Sequence, residues 1–334
     1  MSQETKQACV KDAIEHLITT YGELNSSSIE ELDCEPSPLD FMRYVARNTP
    51  FVVRGGASSW RAFDKWDKDY LVSALAGQSV NVAVTPHGNA DAPTLSPAHD
   101  APLFAKPHEE SQPFEQFLNY IISQETDPDF PQSAEVRYAQ TQNDNLRQEY
   151  QCLFRDAQKD IPFASIALQK PPEAINMWIG NSRSVTATHK DSYENIYVQI
   201  RGRKHFVFIS PLHHHCMNEK PLQPATYARG CSHGQLSLSL DQDADPVPVV
   251  TWDPDHPHRN SAPLSPLAQP VRVTLEPGDM LYLPAMWYHK VTQSVAKNDP
   301  NGFVVAVNYW YDMDFSGLLF PTASFLRKLT LPQT

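Results

Sequence analysis

Cysteine is scarce and unpaired in this sequence. Cys9, Cys34, Cys152, Cys216 and Cys231 are odd in number, widely spread and contain no CxxC pair, so neither a zinc ribbon nor a disulfide framework is indicated and reduced thiols are expected. No apolar run approaches the roughly 18 to 20 residues that a membrane-spanning helix needs. Met1-Ser2-Gln3-Glu4 also lacks the basic start and apolar stretch of a secretory leader. The expected location is therefore cytoplasmic, with the nucleus as the second compartment, and no membrane partner is expected. Basic charge is in deficit: 27 Lys and Arg stand against 39 Asp and Glu, a net charge of -12. A nucleic-acid binder needs a net basic face, so no nucleic-acid partner is expected either, and a basic protein partner suits better. Glycine is low at 12 while proline reaches 29, which favours a strand-and-loop protein with stiffened connections.

What is present is a large supply of short strands. Val10, Ala13, Ile14, Leu17, Ile18 and Tyr21 recur at helical spacing, predicting an amphipathic helix over 7–24 that packs on the domain, and a short helix begins near Leu39. Strand-like runs follow at 51–54, 80–84, 136–142, 175–179, 196–200, 205–209, 271–275, 280–283 and 303–309, bounded by Gly, Pro or Asp. The stretches 91–113 and 211–270 are polar and rich in proline and read as long loops. Leu318, Leu319, Phe325, Leu326 and Leu329 predict a C-terminal helix with Pro321 near its first turn. The expected architecture is mainly β with flanking helices, a double-stranded β-helix or cupin-like jelly roll. Residues 1–50 form an N-terminal helical segment packed on the core, and 51–334 form the domain itself. The terminal helices either pack on their own domain or pair two copies as a homodimer.

In Thr188-His189-Lys190-Asp191, strand alternation puts an imidazole and a carboxylate on one face. A third ligand is offered downstream, where Glu276-Pro277-Gly278-Asp279 turns into an apolar strand and the chain then presents Trp287-Tyr288-His289. Two histidines and one carboxylate on one face of an octahedral ion leave positions open for a chelating co-substrate and dioxygen, the facial triad of non-haem iron(II) oxygenases. Alone, His-x-Asp is common and reads more readily as a solvated turn, and it is the surrounding context that favours a metal site. Lys204, entering the otherwise apolar run His205 to Ile209, is either an exposed edge residue or a buried cation that needs a counter-charge, which the distal carboxylate of 2-oxoglutarate supplies. His213-His214-His215 cannot all face one ion from a regular element and read as part of a polar loop.

Thr186, His189, Asp191, Asn195, Lys204, His289, Asn308 and Trp310 together resemble the pattern of the Jumonji-C 2-oxoglutarate oxygenases. The runs Ala174 to Gly180, His189 to Asn195, Gly278 to Ala285 and Asn308 to Met313 are similar to the peptidase and (3S)-lysyl hydroxylase branch of that family. The resemblance covers about residues 36–314. It implies Fe(II), 2-oxoglutarate and O2 as metal, co-substrate and oxidant, with His189, Asp191 and His289 as catalytic metal ligands. It implies further that Lys204, Tyr138 and Thr186 bind the C5 carboxylate of 2-oxoglutarate, that Asn195 and Asn308 lie near its chelating end, and that Trp310 walls the pocket. The implied reaction is lysyl C-3 hydroxylation of a protein substrate, a developmentally regulated GTP-binding protein, with 2-oxoglutarate decarboxylated to succinate and CO2. N-methyl-lysine demethylation and metal-dependent endopeptidase action on basic tails are the alternatives. No HExxH element is present for the latter.

Overall fold

The computed structural model describes residues 3–329 apart from 97, 98, 231–233, 298 and 300; Cys231 lies outside the described residues, and Cys9, Cys34, Cys152 and Cys216 are free. Two sheets dominate. One has six strands in the order Glu30–Leu32, Phe51–Val53, Met280–Leu283, Tyr193–Arg201, Val304–Asp312 and Ala174–Gly180. The other has five, in the order Val271–Leu275, Arg203–Ile209, Tyr288–Ser294, Val185–His189 and Asn89–Ala90. Neighbours pair antiparallel, except Glu30–Leu32 with Phe51–Val53 and Asn89–Ala90 with Val185–His189. From residue 185 onward the chain passes back and forth between the sheets, which is the winding of a double-stranded β-helix. The fold is mainly β with flanking helices.

The space between the sheets is filled by Trp178, Tyr197, Phe206, Phe208, Leu281, Leu283, Val291 and Ala306. Helices cover the outer face of the six-stranded sheet. Phe41, Phe117, Ile121 and Phe163 pack there against Ile175, Met177, Ile196, Val198, Val305 and Val307. Covered on both faces, Tyr193–Arg201 and Val304–Asp312 are buried over most of their length, so they read as continuous apolar runs instead of alternating ones. Gly202 links Tyr193–Arg201 to Arg203–Ile209 at φ +63, where a Cβ would lie 2.7 Å from Val304 Cγ2.

Residues 1–50 give the helices Gln3–Leu24 and Pro38–Arg47, and also Glu30–Leu32, which extends the six-stranded sheet. Ile14 and Ile18 of the first helix are buried against Ile209, Met217, Trp252 and Tyr288. The two stretches expected as loops differ from that reading. Within 91–113 lie Ala92–Thr94, Leu103–Lys106 and His108–Pro113; within 211–270 lie a 3-10 helix, Pro211–Cys216, and strands Glu219–Leu222, Pro224–Arg229, Leu236–Leu240 and Val247–Val250. Leu103–Lys106 pairs in parallel with Pro224–Arg229, so the two excursions build one further sheet. His213 sits inside the 3-10 helix and is buried, not in a polar loop. The helix Phe114–Thr126 was not anticipated, and the C-terminal helix runs Leu319–Lys328. No described helix is long and apolar enough to cross a membrane.

Candidate metal centre and cavity

His189 ends the strand Val185–His189, and its Cα partner across the sheet is His289 of Tyr288–Ser294. A register irregularity between Thr186 and His189 brings the two imidazoles together, with ring centroids 4.2 Å apart. Asp191 follows just beyond the strand and is held by Met286, whose backbone N–H donates to the Asp191 carbonyl at 2.8 Å. The turn at Met286 is itself fixed from outside: Asn48, the left-handed C-cap of Pro38–Arg47, donates from Nδ2 to the Ala285 carbonyl at 3.0 Å and accepts from Trp287 Nε1 at 2.7 Å.

The ring Nδ1 of His189 lies 2.8 Å from the Ala187 carbonyl and that of His289 lies 3.0 Å from the Trp287 carbonyl. A carbonyl only accepts, so each Nδ1 carries the proton and each Nε2 keeps its lone pair for the site. Both Nε2 atoms face Asp191 Oδ2, at 3.5 Å from His189 and 3.7 Å from His289. One ligand atom from each residue lies within 4.8 Å of the others, a spacing that one ion can bridge. Burial would raise the Asp191 carboxyl, but His189 and His289 outweigh it and hold it near 2, so it is ionised. Burial and His189 push His289 down to about 4, against Asp191, so it is neutral. His189 is lowered by burial and raised more by Asp191, giving a net upward shift.

From this corner a recess runs inward between the sheets, lined by Tyr138, Thr186, Asn195, Lys204, Asn308 and Trp310 among others. All nine residues singled out in the sequence meet there. Lys204 is 2% exposed and its Nζ donates to Tyr138 Oη at 2.8 Å. No carboxylate reaches it among the described residues. Burial pushes its ammonium down to about 7. Thr186 approaches the same Tyr138 hydroxyl. Asn308 Nδ2 donates to Asn195 Oδ1 at 3.3 Å, while Asn308 Oδ1 accepts from Trp178 Nε1 at 3.0 Å. Trp310 Nε1 is buried without a partner among the described residues. Sequence reading missed the rings of Trp178 and Tyr197, which with Tyr138 surround the Lys204 ammonium at 5.4 to 5.9 Å from their centroids. Alternation was the available signal, since Tyr197 shares a strand face with Asn195.

A double-stranded β-helix whose inner wall carries a His-x-Asp pair, a distant His and a buried lysine defines a class of cupin metal sites. Comparison with known proteins agrees: the cupin-like domain family matches residues 36–317, and the chain belongs to that family, among proteins of the JmjC type. It is 35% identical to the lysine-specific demethylase JMJ32 of Arabidopsis thaliana, covering 95% of this chain and 91% of that one. It is 35% identical to the bifunctional peptidase and (3S)-lysyl hydroxylase JMJD7 of Homo sapiens, over 91% and 90%. It is 30% identical to JmjC domain-containing protein E of Dictyostelium discoideum, over 90% and 88%.

Proposed function

We propose that the protein is an iron(II)- and 2-oxoglutarate-dependent hydroxylase of a lysyl side chain in a protein. The observation that carries this reading is Lys204: a lysine buried to 2% exposure, ringed by aromatics and with no carboxylate in reach among the described residues, is a cation that an anion entering the recess would pair. The residues fit the implied groups. His189, Asp191 and His289 would hold the ion, and Lys204, Tyr138 and Thr186 would take the distal carboxylate of the co-substrate. Ionised Asp191, a divalent ion, a protonated Lys204 and a dicarboxylate are together electrically neutral. When bound, iron(II) and 2-oxoglutarate supply dioxygen activation coupled to decarboxylation to succinate and CO2. The chain's part is positioning: Asn195 and Asn308, themselves oriented by Trp178, line the chelating end, and the aromatic walls exclude water. No general base is required.

The lysyl assignment is supported by the human relative's name and by the surroundings of Trp310, which lines the recess. Tyr193 stacks flat on Trp310, centroids 4.7 Å apart and planes 1° apart, and lies opposite the exposed Asp312 across the strands. An aromatic face beside an exposed carboxylate suits an ammonium, and Lys170 Nζ already donates to the Asp312 backbone carbonyl at 3.0 Å. The Arabidopsis relative's name favours a second reading, N-methyl-lysine demethylation, which needs the same site. Peptidase action is less well served, because Asp191 is the one carboxylate among the residues lining the recess.

The test is to incubate the protein with iron(II), 2-oxoglutarate, ascorbate and a lysine peptide from a developmentally regulated GTP-binding protein, then weigh the products. A gain of one oxygen, absent with His189→Ala, is the expected result. Loss of a methyl unit from a methyl-lysine peptide, or a cut backbone, would replace hydroxylation by one of the other readings.

A further inference from the structure

Two lysines flank the triad in sequence, Lys190 between His189 and Asp191 and Lys290 directly after His289, and neither is free in solvent: their side chains are 16% and 10% exposed. Both are held by the excursion 211–270. Lys190 Nζ donates to Glu219 Oε2 at 2.7 Å and to Tyr288 Oη at 3.3 Å. Lys290 Nζ donates to Asp253 Oδ2 at 2.8 Å and lies 2.8 Å from Asp255 Oδ2. Glu219, with a side chain 8% exposed, also accepts from Arg327 Nη2 of the C-terminal helix at 2.7 Å. His214 closes the circuit, its Nδ1 2.9 Å from the same Tyr288 hydroxyl.

Three carboxylates from one excursion therefore grip the two residues adjacent to all three candidate ligands. Alternation along a strand turns Lys290 away from the cavity when His289 points into it. Pulling on such a neighbour moves the ligand's backbone without touching the metal. A paired, poorly solvated ammonium tolerates little displacement, because separating the charges leaves one buried and unpaired.

We infer that Glu219 is a positioning residue for the metal centre, and that Glu219, Asp253 and Asp255 form a clamp behind the site that sets the spacing of His189 and Asp191 against His289. The inference rests on the reading that these three side chains hold a divalent ion. Arg327 extends the clamp to the C-terminal helix, so the docking of that helix is felt at the metal.

Cobalt(II) titration of the full chain under argon, followed by its visible bands, tests this. Wild type should bind and show ligand-field absorption. Glu219→Ala should stay folded by circular dichroism, bind cobalt about 10–100-fold more weakly and shift the bands. Glu219→Gln, whose amide oxygen still accepts from Lys190, should fall between. Arg327→Ala, at a half-exposed residue that cannot endanger the core, should weaken binding a few-fold. A folded Glu219→Ala with wild-type affinity and spectrum overturns the inference; if that variant does not fold, an unaltered Arg327→Ala does so instead. Wild type that takes up no cobalt overturns the metal reading on which the clamp depends.

Discussion

Lys204 is held in an environment that works against its charge. In the unfolded chain its pKa is that of an ordinary lysine, whereas in the folded protein burial brings it down to about 7. A folded-state pKa below the unfolded one means that protonation favours unfolding. The penalty is fully present below pH 7 and fades as pH rises toward the ordinary lysine value. Lys204→Met should accordingly stabilise the ligand-free protein by on the order of 2–4 kcal/mol at pH 6 and by much less at pH 10, while removing 2-oxoglutarate binding. Thermal melts at the two pH values check the first part; a variant that melts lower at both refutes it. The same shift predicts how the co-substrate binds. Above pH 7 Lys204 must take up a proton to meet the carboxylate, so affinity should fall about tenfold per pH unit, with proton uptake visible by calorimetry in buffers of different ionisation heat. Across the strands from Tyr193, Asp312→Lys should raise KM for a lysyl peptide about tenfold with little change in kcat, since it replaces attraction by repulsion before the reacting atoms are engaged. An equal fall in kcat would place Asp312 in a different role.

Elements, more than single residues, decide how these groups meet. The short strand Asn89–Ala90 pairs in parallel with Val185 and Thr186, and it is started by Gly88, whose carbonyl accepts from Val185 N at 2.8 Å. Gly88 has φ +78, and a Cβ there would lie 1.9 Å from the Arg183 carbonyl oxygen. Gly88→Ala should cost about 2 kcal/mol or more in denaturant melts and raise KM for 2-oxoglutarate through Thr186. Unchanged stability would show that this edge does not hold Thr186. The triad was legible because His189 and Asp191 stand at strand spacing and His289 follows a Pro-Gly-Asp turn into an apolar strand. The helix Phe114–Thr126 carried a readable signal in Phe114, Phe117, Leu118 and Ile121, but Pro113 and the proline-rich stretch before it favour a loop. Leu236-Ser-Leu-Ser-Leu240 alternates as a strand should. Ala92–Thr94 could not be read so, because a strand of three residues containing a proline exists only by virtue of Leu103–Lys106 beside it. The clamp of Glu219 on Lys190 was equally invisible, since an ion pair 29 residues apart in sequence leaves no periodic trace.

At the scale of the whole molecule, the residues that line the recess run from Tyr138 to Trp310 and come from both sheets, so whatever binds there ties the two sheets of the β-helix together. A ligand that binds only the folded state stabilises it by about 2.7 kcal/mol at a hundred times its Kd. For a chain of this size that corresponds to a rise of several degrees in Tm. Manganese(II) alone should give part of this through His189, Asp191 and His289. Adding 2-oxoglutarate should give more than the two separate increments combined, because its two ends need two different partners: the ion at one and Lys204 at the other. Lys204→Met should keep the manganese increment and lose the additional one, whereas His289→Ala should lose both. Differential scanning fluorimetry over the four ligand combinations separates these outcomes. A 2-oxoglutarate increment that persists without metal, or that survives Lys204→Met, would mean that the co-substrate is not strung between the triad and the buried lysine.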